Sequence, residues 1–244
     1  MRGKNAPRQR NADPNLLQVH DVYATIQGEG PRVGQPAVFI RLSGCHLRCH
    51  FCDARWDDEH DRYLSIDSIM EMFDVVWSAH KDIDLAVLTG GEPLRQNVTH
   101  LVNRLCDRHF TVQIETAGSF WLPVLDRKKV EIVVSPKTKM VHPRIMAGAV
   151  AWKYVVSMDS RTKSIDGKGL PVLPTQRPLG RNRQRHGVPK QFPFGRDKDV
   201  FLSPCWIPED PWLTKQNIKK VAEIALKHGY RAGLQAHKHW GVPQ

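Results

Sequence analysis

The chain has no apolar run long enough to cross a membrane, and residues 1–10 lack the apolar core that a secretory leader needs. It is also poor in cysteine. There are five in 244 residues, an odd number, three of them within eight residues and Cys106 and Cys205 each alone. Such a set fits a reducing compartment better than a disulfide framework, so a cytoplasmic, soluble protein is expected. Hydrophobic residues make up 41% of the chain, within the globular range. The length is enough for a full α/β core, as one domain or two small ones.

Acidic residues are missing from two places, and that locates the net charge of +11. Residues 1–10 hold Arg2, Lys4, Arg8 and Arg10 against no acid, which is +4. Residues 177–198 hold Arg177, Arg181, Arg183, Arg185, Lys190, Arg196 and Lys198 against Asp197 alone, which is +6. The rest of the chain is therefore close to neutral. Both segments are rich in Pro, Gly, Gln and Asn. They read as a basic flexible tail, taken as 1–15, and an irregular basic insertion at about 159–199 within a single domain spanning 16–244. Solvated surface charge is the preferred meaning, and an RNA-touching arm the minority one.

Between these segments, strand and helix patterns alternate. Alternating residues over 19–24 predict a strand that runs into Ile26-Gln27-Gly28-Glu29-Gly30, where glycines permit a tight turn or a close approach. The apolar run 37–42 predicts a second strand. Ser65 is placed to cap a helix carrying Ile66, Ile69, Met70, Phe73, Val76 and Trp77 on one face. Further strands are expected over 83–88, 110–114, 130–134, 150–156, 200–202 and 230–235. Helices are expected around Val98–Leu105, briefly over 121–128, and over 214–227 up to Gly229. This alternation predicts parallel βαβ units. The unusual residues all fall just after strand ends: the cysteine loop, Thr89-Gly90-Gly91-Glu92-Pro93, Glu115-Thr116-Ala117-Gly118, Ser135-Pro136-Lys137, Ser203-Pro204-Cys205 and Gln235-Ala236-His237. In a parallel sheet those ends share one rim, where α/β enzymes bind ligands.

Two of these segments carry recognisable chemistry. Cys45, Cys49 and Cys52 lie on one loop, and three thiolates can hold an iron–sulfur cluster while leaving one iron open to a small molecule. Alternatively they hold zinc, with His46, His50 or a distant residue completing the set. Gly90-Gly91-Glu92 offers an exposed backbone edge and a carboxylate to the amino end of an amino-acid-like ligand. Arg41 sits in an apolar strand, where an unpaired guanidinium is costly to bury, and a substrate carboxylate is a natural two-point partner.

The Cys-x-x-x-Cys-x-x-Cys loop after one strand with Gly-Gly-Glu after the next resembles the radical S-adenosylmethionine superfamily. Tyr23-Ala24-Thr25-Ile26-Gln27-Gly28-Glu29-Gly30 and Gly233-Leu234-Gln235-Ala236-His237-Lys238 are similar to the 7-carboxy-7-deazaguanine synthase family, over roughly residues 19–243. The resemblance implies an α/β fold, a partial (β/α) barrel of mostly parallel strands. It also implies a [4Fe–4S] cluster on Cys45, Cys49 and Cys52, and radical conversion of 6-carboxytetrahydropterin to 7-carboxy-7-deazaguanine with loss of ammonia, on the route to queuosine. By the same resemblance Phe51, Cys52, Asp53, Gly90, Gly91, Glu92, Gly118, Ser135, Pro136, Lys137 and Ser203 would line the S-adenosylmethionine site. Ile26, Gln27, Gly28, Glu29, Arg41, Thr116, His237 and Pro243 would meet the pterin. A Mg²⁺ ion, a flavodoxin-type electron donor and a homodimer are further implications.

The chain departs from the family pattern in three segments. Ala54 stands where the family has a Thr that helps hold Mg²⁺, so no side-chain ligand is matched there. Ser203 stands in place of a Gln, and Cys205 in place of a Met. Gln244 follows Pro243, which in relatives is often terminal and can contact substrate through its carboxylate. Two other classes stay open on sequence alone. One is a radical S-adenosylmethionine activating enzyme acting on a protein partner, against which Gln27, Arg41 and His237 speak. The other is a zinc-bearing basic RNA-binding protein.

Overall fold

In the computed structural model, residues 11–47, 49, 51–53, 61–137, 141–158 and 200–243 are described. The whole of the expected basic insertion, the first ten residues, His50 and Ala54 lie outside them. Asn11 is already anchored, since its N–H donates to Arg95 O at 3.0 Å and its carbonyl accepts from Asn97 N–H at 3.0 Å.

In chain order the strands are β1 (Leu16–Ile26), β2 (Pro36–Leu42), β3 (Arg62–Ser65), β4 (Leu85–Gly90), β5 (Thr111–Thr116), β6 (Val130–Val134), β7 (Ala149–Val156), β8 (Val200–Pro204) and β9 (Arg231–Ala232). The helices are α1 (Ile66–Ser78), α2 (Thr99–Asp107), α3 (Pro143–Gly148), α4 (Pro211–His228) and α5 (His237–Trp240). Local chemistry explains their limits. The Ser65 hydroxyl accepts from Ser68 N–H at 3.1 Å and starts α1, whose Ile69 and Phe73 are fully buried. Each such side chain contributes roughly 1.5–3 kcal/mol by leaving water. Asp210 caps α4 through Leu213 N–H at 2.9 Å, so the helix begins at Pro211, before the expected 214, and Gly229 ends it in the left-handed region.

Two expected elements are shorter in the structure. The helix expected over 121–128 is a single 3₁₀ turn, Pro123–Asp126, because Leu122 before the proline is held extended. The strand expected over 230–235 stops at Ala232. Gly233 N–H still reaches Leu202 O at 2.8 Å, but Gln235 takes a positive φ of 51° and turns the chain out of the sheet. Strand β3 and helix α3 had no distinct signal in the sequence.

Among the described residues the strands form one nine-stranded sheet in the order β3-β1-β2-β4-β5-β6-β7-β8-β9. The pairs β1–β2 and β1–β3 are antiparallel, and every pair from β2 onward is parallel. The main core, including Leu88, Leu101, Ile114, Val134 and Tyr154, lies between sheet and helices. The other face carries smaller apolar clusters, Ala37–Leu85–Val87 and Val133–Ala151–Phe201.

That second face is concave. Five places separate β1 from β7, roughly 24 Å on a flat sheet at about 4.8 Å per strand. Yet Glu29, three residues past β1, is ion-paired to Lys153 on β7 at 2.6 Å, and Arg32 reaches Glu131 on β6 at 2.5 Å. The sheet therefore curls into a partial barrel with β3 and β9 as its edges.

The rim is drawn together where β4 meets the end of β2. Gly91 N–H donates to Leu42 O at 3.1 Å and Glu92 N–H to Gly44 O at 3.0 Å. Gly90 has a φ of 124°, and a Cβ there would stand 1.9 Å from Leu42 O. Gly90→Ala should therefore lower stability by at least about 2 kcal/mol in urea titration, since both strain and a backbone clash oppose it. An unchanged unfolding midpoint would show that this approach is not required.

Candidate active site at the carboxyl rim

The strand-end segments enclose one cavity of about 540 Å³, within the range for small-molecule sites. Its wall includes all three loop cysteines, Gly90 to Glu92, Thr116, Ser135, Lys137 and His237, so five separate strand ends converge as the parallel pattern predicts. Cys45 and Cys49 are buried with Leu47, Phe51, Ala117 and Cys205 in a small apolar cluster, and Cys52 packs against it. Cys106 is elsewhere, in the main core on α2.

Three thiols from one loop share one wall and one apolar cluster, and in a polynuclear cluster each of three irons takes its own thiolate. Burial raises the Cys45 thiol well above its usual range and pushes Cys49 up to about 12. Thiols in so apolar a place become thiolates when a cationic metal centre is there to stabilise them. The residues fit an iron–sulfur cluster.

Behind the cysteine loop is a buried polar brace. Arg95, 2% exposed, donates through Nη2 to Gln18 Oε1 at 2.6 Å and to Ser43 O at 3.1 Å. Gln96 donates to Gln18 O at 2.8 Å. Glu92, 1% exposed, is held internally: Oε1 accepts from Thr116 Oγ1 at 2.6 Å and Leu94 N–H at 3.0 Å, and Oε2 from Ala117 N–H at 2.7 Å. Burial raises its pKa, with those three bonds opposing. Glu92 thus reaches the cavity wall with both oxygens bonded inside the chain.

The other residues singled out in the sequence divide between the wall and its supports. Phe51, Asp53, Ile26, Gln27, Glu29, Arg41 and Pro243 are on the wall. Asp53 pairs with Lys238 from α5. The Lys137 ammonium bonds Ser135 and lies 5.9 Å from the Phe51 ring centre, and burial lowers its pKa. Gly28, Gly118, Pro136 and Ser203 are behind the wall. Gly28 is the seat of His237, for a Cβ at 28 would stand 1.9 Å from its Nδ1. Burial also lowers the His237 pKa. Pro243 is tied to β1, its carbonyl accepting from Thr25 Oγ1 at 2.7 Å.

Arg41 has the environment expected of a carboxylate receptor. Its Nη2 donates to Tyr23 OH at 2.8 Å, its guanidinium lies 5.4 Å from the Tyr23 ring centre, and Tyr23 stacks on Phe39. Among the described residues no acid pairs with it.

Sequence reasoning missed Lys153 and Glu115 as site residues. Lys153 is ion-paired to Glu29 at 2.6 Å and to Glu115, and is buried against both. The signal was present: a lone lysine inside the apolar run 150–156 is the same kind of anomaly that drew attention to Arg41.

An open parallel sheet with three cysteines on one rim loop and Gly-Gly-Glu on its neighbour is the layout of a radical S-adenosylmethionine enzyme, and the Radical SAM superfamily profile matches residues 39–138. Over 244 residues the chain is 38% identical to the 7-carboxy-7-deazaguanine synthase of Rhodospirillum rubrum, covering 98% of both chains. Over 242 residues it is 32% identical to that of Rickettsia prowazekii, covering 95% of this chain and 91% of the relative. The chain belongs to the 7-carboxy-7-deazaguanine synthase family and is a radical S-adenosylmethionine lyase. The crystal structure of QueE from Escherichia coli shares the fold, with a TM-score of 0.58 at 20% identity over 90% of this chain and 93% of that one.

Because Glu92 accepts three internal bonds, Glu92→Gln must turn an N–H₂ toward one of those donors. The expected cost is about 1–3 kcal/mol in denaturant unfolding. A variant as stable as wild type would mean that the carboxylate is not the brace it forms here.

Proposed function

We propose that the chain converts 6-carboxytetrahydropterin to 7-carboxy-7-deazaguanine with loss of ammonia, at the rim cavity. The observation that carries this reading is the opening of one cavity onto both the three loop cysteines and an arginine that pairs with no acid among the described residues. A glycyl-radical activating role would leave Arg41 and the Gln27–Glu29 turn without a task.

Cys45, Cys49 and Cys52 would hold a [4Fe–4S] cluster, with one iron left for S-adenosylmethionine. Bound together, those groups would supply the one-electron chemistry needed at C6 of the pterin. The chain's own residues hold the reactants. Ser135, Lys137 and the Gly90–Gly91 edge line the cofactor side, with Gly118, Pro136 and Ser203 supporting them from behind. Arg41 would take the substrate carboxylate by two parallel N–H bonds, its plane set by Tyr23. Ile26, Gln27, Thr116, His237 and Pro243 would meet the ring. The Lys238–Asp53 pair ties α5 to the cysteine loop and shields the cavity on that side.

Mg²⁺ is an accessory ion in this reading, with water filling the coordination position for which Ala54 offers no oxygen. A flavodoxin-type donor and a homodimer complete the proposal, with the single catalytic domain spanning 16–244. Among the described residues no helix is long and apolar enough to cross a membrane.

The test is anaerobic incubation with reduced flavodoxin, S-adenosylmethionine and 6-carboxytetrahydropterin, assayed for the deazapurine. No product from a cluster-loaded protein would reject the assignment. Reconstituted protein should contain about four irons per chain. Replacing any of Cys45, Cys49 or Cys52 by Ala should abolish that iron, and Cys106→Ala should leave it in place. Dependence of the iron on Cys106 would overturn the ligand set. Arg41→Lys should raise the pterin KM by about tenfold or more, because an ammonium cannot reproduce a planar two-point contact. An unchanged KM would sink the pairing.

A further inference from the structure

A closed ring of polar contacts lies at the cavity floor. Lys153 Nζ on β7 donates to Glu29 Oε2 at 2.6 Å and to Glu115 Oε2 on β5. Glu115 Oε1 accepts from Gln27 Nε2 and Gln113 Nε2, each at 3.0 Å. Gln27 Oε1 then accepts from the backbone N–H of Glu29 at 3.1 Å, which closes the ring. The side chains of Lys153, Glu29 and Glu115 are only 8%, 14% and 14% exposed.

A strut between strands does not need this chemistry. A buried ion pair is seldom more stabilising than apolar side chains of the same volume, and here two carboxylates share one ammonium. The group carries one negative charge in excess. The two carboxylates also differ. Glu115 is saturated by Lys153, Gln27 and Gln113. Glu29 faces the cavity beside His237 and accepts a bond from Ser203. The ring therefore fixes both the main chain and the side chain of Glu29 while leaving its charge toward the ligand.

We propose that Lys153 and Glu115 are positioning residues that hold Glu29 as an ionised acceptor for the N–H donors of the substrate's aminopyrimidine ring. This rests on the pterin-converting function proposed above. The exocyclic amine and adjacent ring N–H of such a ring present parallel donors to a carboxylate, at the opposite end of the substrate from the carboxylate that Arg41 would take. The excess negative charge is then matched by ligand donors when the site is filled.

The pH dependence follows. The groups facing Glu29 are Lys153 from β7, with Glu115 behind it on β5, His237 from α5, Ser203 from β8 and Lys137 from the segment after β6. Burial alone would raise the Glu29 carboxyl, but the Lys153 charge outweighs it and holds the pKa at about 2. In wild type Glu29 stays ionised throughout the assay range. Without Lys153 the largest opposing charge is gone and only His237 and the Ser203 hydrogen bond stand against burial, so the pKa moves up past the usual carboxylate value of about 4.3 and ionisation is lost as the pH falls through that higher value.

The experiment compares wild type, Lys153→Met, Lys153→Arg and the double variant Lys153→Met/Glu115→Gln, all reconstituted and equal in iron content. The readouts are KM and kcat for 6-carboxytetrahydropterin between pH 5 and 8. Lys153→Met should raise KM at least tenfold with a smaller change in kcat, and should bring an acid limb into kcat/KM above pH 5. The double variant, with one buried carboxylate fewer, should fold more readily and show the same limb. Lys153→Arg, which keeps a cation, should restore the wild-type pH profile. Adding Glu29→Gln to Lys153→Met should remove the limb.

The proposal is overturned by a wild-type KM and pH profile in either methionine variant. It is equally overturned by a limb that survives Glu29→Gln and so belongs to His237. Failure of both methionine variants to fold would make Lys153 a strut, and that also rejects it. Absence of turnover in wild type itself would reject the proposed function, and this inference with it.

Discussion

The close backbone approach of β4 to the end of β2 is the constraint on which the rest of the site depends. Gly90 and Gly91 lie against Leu42 and Gly44 with no room for a side chain, and two backbone hydrogen bonds lock the contact. That contact places the first cysteine of the loop beside the Gly-Gly-Glu turn. From there Glu92 reaches β5 through Thr116 and Ala117, while Arg95 and Gln96 fold back onto Gln18 and Ser43. Three strand ends are thus joined by bonds that water does not reach. Buried polar groups are expensive unless satisfied, and here their mutual satisfaction makes the rim rigid where a cofactor must be aligned.

The cavity is divided electrostatically. On the cysteine side, burial raises the thiols and lowers Lys137, and a metal centre would draw the thiols to their thiolate form. On the opposite side, Lys153 keeps Glu29 ionised and the Arg41 guanidinium lies against the Tyr23 phenol. One end is suited to a group that brings its own charge, and the other to a ligand with both a carboxylate and N–H donors. In the proposed function this polarity would orient the substrate as well as bind it.

How much was legible before the structure depended on the kind of signal. Helix α1 and strand β6 were marked by caps and by apolar spacing, which act within a few residues. The last strand was overestimated because the turn at Gln235 is imposed by α5 seating His237 over Gly28, a contact between distant parts of the chain. Arg41 and Lys153 show the limit most clearly. Both are lone charges in apolar strands, and for Arg41 the family resemblance adds a role to that anomaly. Lys153 was passed over because its two acidic partners lie 124 and 38 residues away.

By itself the sequence determined the order of elements, the mostly parallel character of the sheet, and the rim on which the strand-end motifs and the three cysteines gather. These rest on residue type, spacing and strand polarity, which are properties of the chain read locally. Only the tertiary structure decided the curl that brings Glu29 onto Lys153 and the enclosure of Glu92 by Thr116, Ala117 and Leu94. It also decided which lone cation lacks an acid among the described residues and which has two. Those depend on where distant side chains meet in a medium that screens little, and spacing along the chain carries no information about that meeting.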